Sequence, residues 1–453
     1  MEKRQENSIT EGVIWKQLLI FFFPIMIGSF FQQLYNTVDA VIVGQYVGKE
    51  ALAGVGSTGT IINLLVGFFI GLASGASVII SQFFGAQDER SLSRAVHTSV
   101  ALALAGGAVL TAVGLLTSRP ALRWLGVPSD VMDEALIYIN VYFTGIIGSI
   151  IYNVGTGILR AIGDSKRPLY ILIVCCFVNI FLDLLFVVAF RWGVFGVALA
   201  TVLSQVVSAV LIIVRLMRTT DMYRVELRKV RFDGPILSRI VQIGLPAGAQ
   251  SVMYSGSNLV IQAAINTFGT DVLAGWTAVG RIDGFVWMIM GAFGISITTF
   301  VGQNFGAAKY DRVKKGTAVC LGITLAVTVV LSVSEILFAG PIIRIFTNDD
   351  AVVEMGTYFV RIWAPAYCIW VFIEVFSGAI RGVGESFQPM IITVFGVCVL
   401  RLAWIWYALP LHRTPGMVAA SYPVTWGVTA VVFIIYYLRM NWLRRHIPAN
   451  QTV

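Results

Sequence analysis

Residues 159–168 read L-R-A-I-G-D-S-K-R-P, and residues 380–389 read I-R-G-V-G-E-S-F-Q-P. Arginine, glycine, an acid, serine and proline return in the same order, 221 positions on. The same offset carries S-Q-F-F-G-A at 81–86 onto G-Q-N-F-G-A at 302–307, and A-L-A-G at 51–54 onto V-L-A-G at 272–275. Three islands at one offset mark the chain as a duplication. The most basic stretch, 218–238, falls between the copies and is read as a cytoplasmic linker. It would join an N-terminal lobe, 1–217, to a C-terminal lobe, 239–453.

Outside the islands the chain is apolar. It is 57% hydrophobic and 12% charged over 453 residues, against roughly 25% charged for a soluble domain. Twelve segments suit a bilayer: 14–43, 52–80, 95–117, 135–159, 168–190, 194–216, 240–267, 272–302, 317–339, 353–380, 389–410 and 416–438. A spanning helix needs about 20 such residues, and lipid obliges each backbone to bond within its own helix. The expected fold is an all-α polytopic membrane protein with twelve transmembrane helices in two six-helix repeats. Six is even, so both copies enter from one side and are parallel repeats.

The first apolar run is too long for a cleaved signal peptide and is read as a retained span. The net charge of +8 follows loop position. Lys3, Arg4, Arg90, Arg94, Arg160, Lys166, Arg167, the seven bases from Arg215 to Arg239, Lys309, Arg312, Arg444 and Arg445 share one side. Cationic loops stay in the cytoplasm, which places both termini inside a plasma (inner) membrane and excludes a nucleic-acid role. Cys175, Cys176, Cys320, Cys368 and Cys398 lie within spans, without metal-ligand spacing, and read as small buried hydrophobes.

No phosphate-binding loop, filter motif or ring of charge is visible. His97, His412 and His446 lie near span ends, with no nucleophile beside a base. An enzyme, a pump and a channel are therefore disfavoured, and no cofactor is expected. Duplicated transporters place their sites near the bilayer midplane, at or beside the repeat interface. The R-x-x-G-[DE]-S-x-x-P islands also have a local explanation. Glycine ends one helix, the acid and serine suit the next N-cap, and proline fits its first turn.

Charges inside spans are costly and point to function by default. The second copy carries Arg281, Asp283, Glu374 and Arg401, two bases and two acids that suit a neutral buried network as well as a site. In the first copy, Asp39 and Asp183 have no lysine or arginine in any mid-span nearby in sequence. The offset maps Asp183 to Trp404, Asn179 to Leu400 and Asp39 to Val260 or Ile261, so the shared fold does not require these acids. Gln32, Tyr35, Asn36 and Asp39 form one helical stripe, Asn179 and Asp183 a second, and Thr201, Ser204, Gln205 and Ser208 a third. One polar stripe is explained by hydrogen bonding between helices. Three, with two unpaired acids, point to a coupling-ion site for H+ or Na+, with Asp39, Asn179, Asp183 and Thr201 as oxygen donors for Na+.

Twelve spans in two repeats, with Q-x-F-G-A after spans two and eight and R-x-x-G-[DE]-S after spans four and ten, resemble the multidrug and toxic compound extrusion (MATE) family. The resemblance implies a cation-coupled antiporter that expels drugs, mostly organic cations. The first-lobe site of the DinF-type branch is similar to Asp39, Asn179, Asp183, Thr201 and Tyr138, and its bending proline to Pro24. The glutamate that the NorM-type branch carries on span seven is replaced by about Tyr254. Substrate-cavity candidates are Gln32, Tyr35, Asn36, Tyr254, Glu374 and Trp404, with aromatics of spans ten to twelve shared between cavity and interface belt. Partners are then small organic cations and the bilayer, and the chain acts as a monomer. The alternative is a lipid-linked or polysaccharide flippase of the same superfamily, for which a basic cavity and extra spans are expected.

Overall fold

The computed structural model describes residues 8–439. The basic residues Lys3, Arg4, Arg444 and Arg445 lie outside them. The first six spans are α1 (Ile14–Ile42, continued by the π-helical turn Val43–Val47), α2 (Lys49–Gly85), α3 (Glu89–Trp124), α4 (Met132–Ala161), α5 (Lys166–Asp183, continued by the π-helical Leu184–Ala189) and α6 (Gly193–Arg218). The second six are α7 (Gly234–Asn266), α8 (Thr270–Gly306), α9 (Tyr310–Arg344), the pair α10 (Asp350–Trp363) and α11 (Tyr367–Gly382), the pair α12 (Phe387–Thr393) and α13 (Leu400–Leu411), and α14 (Pro415–Arg439). There is no strand among the described residues.

Eleven spans are long and apolar enough to cross a membrane. The twelfth long helix, α7, has 33 residues but is diluted by Gln242, Gln250, Asn258 and Gln262. Most helices outrun the apolar cores that announce them; the segment 52–80 lies inside Lys49–Gly85. Beyond the lipid, caps and propensity decide where a helix stops.

The duplicated islands are duplicated turns. Gly163 (φ 92°) and Gly384 (φ 98°) take left-handed conformations open to glycine. Asp164 then accepts from the Arg167 backbone N–H at 3.1 Å, and Glu385 from that of Gln388 at 3.3 Å. The acids make these caps, while Ser165 and Ser386 make no side-chain cap bond. After Q-x-F-G-A the chain turns at Gln87 and Ala308, both at φ 56°. The next amides, Asp88 and Lys309, return to the Phe83 and Asn304 carbonyls at 3.1 and 2.8 Å. That bonding closes a helix end in a Schellman-like turn.

The chain divides into two compact units, Phe23–Ser251 and Met1–Phe22 with Val252–Val453. The divisions fall inside α1 and α7, close to Pro24 and Pro246. In the first unit, α4 packs against α2, α3 and α6. Gly71 and Gly75 of α2 meet Gly248 and Gly244 of α7 backbone to backbone; a Cβ on Gly71 would lie 2.5 Å from Gly248 Cα. The spacing is small-x-x-x-small on both helices, the pattern that lets membrane helices approach closely. The basic segment 218–238 docks on α3. His97 Nε2 accepts from the Glu226 N–H at 3.0 Å, and Arg94 pairs with Asp233 at 2.5 Å. Against the upward push of desolvation, Arg94 and local hydrogen bonds hold the Asp233 carboxyl below its usual range.

In the second unit, α8 packs against α9, α10 and α11. Its core is aromatic. Trp276 meets Trp363 edge-on at 4.5 Å, Trp287 meets Trp370 at 4.9 Å, and Trp426 lies 5.5 Å from Trp370.

Candidate functional site

Asp39 lies one turn before the π-helical end of α1, and Asp183 is the last residue of α5 before its π-helical segment. The two π segments pack together. Such irregular turns re-aim side chains and recur at functional sites. Here each follows one of the acids that the sequence leaves without a base. Asp39, Asn179, Asp183 and Thr201 are all buried, at 9, 1, 0 and 4% exposure.

The Thr201 oxygen faces Asp39 Oδ2 at 3.5 Å, while its hydroxyl donates to the Val197 carbonyl at the shorter 3.0 Å. One hydroxyl proton serves both, so Thr201 donates to either Val197 or Asp39 and not to both at once. Asp183 and Asn179 lie close enough to interact with the Asp39 carboxylate. They do so without good hydrogen-bond geometry: Asp39 Oδ1, both Asp183 oxygens and both polar atoms of the Asn179 amide are buried and unpartnered. Tyr138 packs beside Asp39 and Thr201 and stacks on Tyr142 with ring centres 6.3 Å apart. Among the described residues no lysine, arginine or histidine forms an ion pair with either acid.

Next to these groups is a small cavity of about 40 Å³, lined in part by Gln32, Tyr35, Asn179, Ser204, Gln205 and Ser208. That volume exceeds the roughly 10–15 Å³ needed for one water. All three polar stripes therefore converge. Asn36 is exposed and lies outside the cavity lining. Pro24 is buried within a continuous α1, where its missing N–H leaves the Ile20 carbonyl without its helical donor.

The second unit does not assemble its charges into one network. Glu374 pairs with Arg381 at 4.0 Å. Asp283 accepts from the Tyr367 hydroxyl. Arg401, 2% exposed, stacks its guanidinium 4.0 Å above the Tyr422 ring. Arg281 is exposed. The neutral set of two bases and two acids is thus replaced by separate local partnerships. Trp404 donates to the Met417 carbonyl at 2.9 Å, and Tyr254 packs on Trp370 at 6.1 Å. Of the aromatics, Trp363, Trp370 and Trp426 are buried core, at 3, 7 and 1% exposure, while Trp406 and Tyr407 are exposed at 74 and 75%. Trp363 packs on Trp276, and Trp370 on Trp287 and Trp426.

One acid escaped the sequence reading. Glu335 sits in the apolar run S-V-S-E-I-L-F of α9, is 8% exposed, and lies near Asp283. Its signal was an acid inside a span, the same signal that singled out Asp39.

A family model described as MatE matches residues 24–185 and again 246–406. The chain belongs to the MatE family. The two matches start at Pro24 and Pro246 and cover corresponding parts of the repeat, so the duplication is a property of the family architecture. The first MatE match contains Asp39, Tyr138, Asn179 and Asp183; Thr201 lies beyond it. Among MatE relatives, the chain is similar to the "Probable multidrug resistance protein YoeA" of Bacillus subtilis strain 168, with 25% identity and 99% of each chain covered. It is similar to the "Probable multidrug resistance protein YpnP" of the same strain, with 28% identity over 87% of this chain and 88% of the relative. A solved structure described as "Crystal structure of MATE in the bent conformation" matches with TM-score 0.90 and 25% identity, over 97% of this chain and 98% of the other. The MatE assignment makes the chain a multi-pass membrane transporter with two six-helix repeats.

Proposed function

We propose that this MatE transporter exports organic cations in exchange for H+ or Na+, taken up at Asp39 and Asp183, by alternating access of its two repeats. The observation that carries this reading is the pair of buried carboxylates that no base pairs with among the described residues, with five unpartnered polar atoms on Asp39, Asn179 and Asp183. An unpaired buried charge costs several kcal/mol. A proton shared by the acids, or a cation held by their oxygens, removes that cost.

Both ions fit the donor set, because two carboxylates, an amide oxygen and a hydroxyl lone pair suit a hard cation as well as a proton. Asn179 and Thr201 position the acids, and Tyr138 walls the site. When the site is neutral, α1 bends at Pro24, where one backbone bond is already missing, and the first lobe closes. Each pH unit supplies about 1.4 kcal/mol per proton, and each charge moved gains about 2.3 kcal/mol per 100 mV. The names of YoeA and YpnP support drugs as cargo. The chain works as a monomer in the inner membrane, with cytoplasmic termini.

The second reading is a flippase of the same superfamily. Buried Arg401, with no ion pair among the described residues, favours it because it suits an anionic headgroup. Uptake of ethidium into everted vesicles under an imposed pH or sodium gradient separates the two. Gradient-driven uptake is expected. No uptake under either gradient would overturn the antiporter.

A further inference from the structure

We propose that the groove between α8 and α9 binds a lipophilic organic cation out of the bilayer, with Glu335 as its counter-ion. The proposal deepens the exporter reading by adding a site for one class of its cargo, and it rests on that reading only for the sign of the cargo's charge. The groove encloses about 460 Å³ and is lined by Ile282, Phe285 and Ile289 of α8 and Leu331, Glu335 and Phe338 of α9, with Ser334 and further apolar residues. That is the size of a pocket for a drug-sized molecule. Glu335 is the one charged residue in the lining.

Two properties select the occupant. The rim is apolar and open: Phe285, Phe338 and Ile345 are 47, 56 and 77% exposed. Both helices are long and apolar enough to cross a membrane, so an occupant that arrives from lipid meets an apolar rim and needs no polar path. The floor is charged. Glu335 is 8% exposed and, among the described residues, has neither an ion pair nor a hydrogen bond. Asp283, close enough to interact electrostatically with Glu335, adds a second acid and is bonded to Tyr367, not to a base. Among the described residues no base pairs with Glu335: Arg344, at the end of α9, pairs with Asp350, Arg381 with Glu374, Arg401 lies over Tyr422, and Arg281 is exposed.

A hydrocarbon chain would fill the walls and leave the carboxylate alone. An anion would be repelled. A hydrated inorganic cation has no path along an apolar rim. A lipophilic cation satisfies both walls and floor, and the Phe285 and Phe338 rings add faces that attract cations. Glu335 lies nine residues before the α9 end at Arg344, about 14 Å at 1.5 Å per residue. That depth is within reach of an amphiphile whose charge sits below the headgroups.

The test uses the full chain in lipid nanodiscs, with tetraphenylphosphonium as probe. Binding is read by equilibrium dialysis, and an aryl-azide phosphonium maps the site by crosslinking. Wild type should crosslink on α8 and α9. Glu335→Gln should bind at least tenfold more weakly, and Ile289→Trp, which fills the groove but keeps the charge, should do the same. Unchanged affinity in both variants, or crosslinks elsewhere, would overturn the site. A phosphatidylethanolamine retained by wild type and lost from Glu335→Gln in native mass spectrometry would also overturn it, by assigning the groove to a lipid. Binding that depends on Glu335 without any ethidium export would refute the exporter reading and leave the groove standing. Export with Glu335-independent binding would do the reverse.

Discussion

Asp39 and Asp183 differ from asparagine by one charge and almost no volume, so their amide variants test charge alone. Asp183→Asn and Asp39→Asn should each lower gradient-driven ethidium uptake at least tenfold in everted vesicles, with wild-type amounts of protein in the membrane. Wild-type rates in both variants under both gradients would remove the coupling role. Trp404 stands where the offset places the partner of Asp183, yet its indole is committed to the Met417 carbonyl at 2.9 Å. Trp404→Phe loses that hydrogen bond, worth about 1 kcal/mol, and should lower thermal stability slightly without uncoupling transport. A loss of coupling equal to that of Asp183→Asn would contradict a site confined to the first repeat.

Helices α1 and α7 both pass from one compact unit to the other, and both carry a proline near the crossing. Pro24 shares its helix with Asp39, whereas Pro246 shares its helix with no acid. Pro24→Ala restores a backbone donor and stiffens α1. It should slow exchange severalfold while leaving sodium- or proton-dependent protection of Asp39 from carbodiimide labelling intact. Pro246→Ala should have a smaller effect on exchange, and equal slowing would disconnect the hinge from the ion site. The α2–α7 crossing is limited by backbone, so Gly71→Leu should cost about 1–3 kcal/mol of overpacking or more, visible as a lower melting temperature in detergent. The docked segment 218–238 has its own pH dependence. Asp233 sits below its usual range in the folded chain, so its contribution is present above the unfolded value and fades as pH falls through the folded one. Trypsin should therefore cut 218–238 faster at pH values below about 4, after correction for protease activity.

For the molecule, the proposed topology has the cationic loops and both termini in the cytoplasm. A fluorescent protein fused after Val453 should fold and glow in the cytoplasm. Alkaline phosphatase inserted at Gly126, in the turn between α3 and α4, should be active outside. The opposite pattern would invert the whole chain and with it the direction assigned to the gradient.

Apolar runs, the offset of the islands and the even number of spans determine twelve helices in two copies, because lipid leaves the backbone no other way to bond. Asp39 and Asp183 stood out for the same reason: a carboxylate in hydrocarbon is conspicuous wherever the chain folds. The cap at Asp164 was legible too, since it needs only the next turn of helix. What the sequence did not determine is partnership. Glu374 and Arg401 look like two members of one network, but side-chain direction sends one to Arg381 and the other onto Tyr422. Trp363, Trp370 and Trp426 have the composition of a cavity and the packing of a core. Glu335 is an acid in a span, like Asp39, yet only the α8–α9 packing opens a groove on it. Periodicity and composition are local and travel with the residues. The neighbour that neutralises a charge or covers a ring comes from another helix, and only the tertiary structure chooses it.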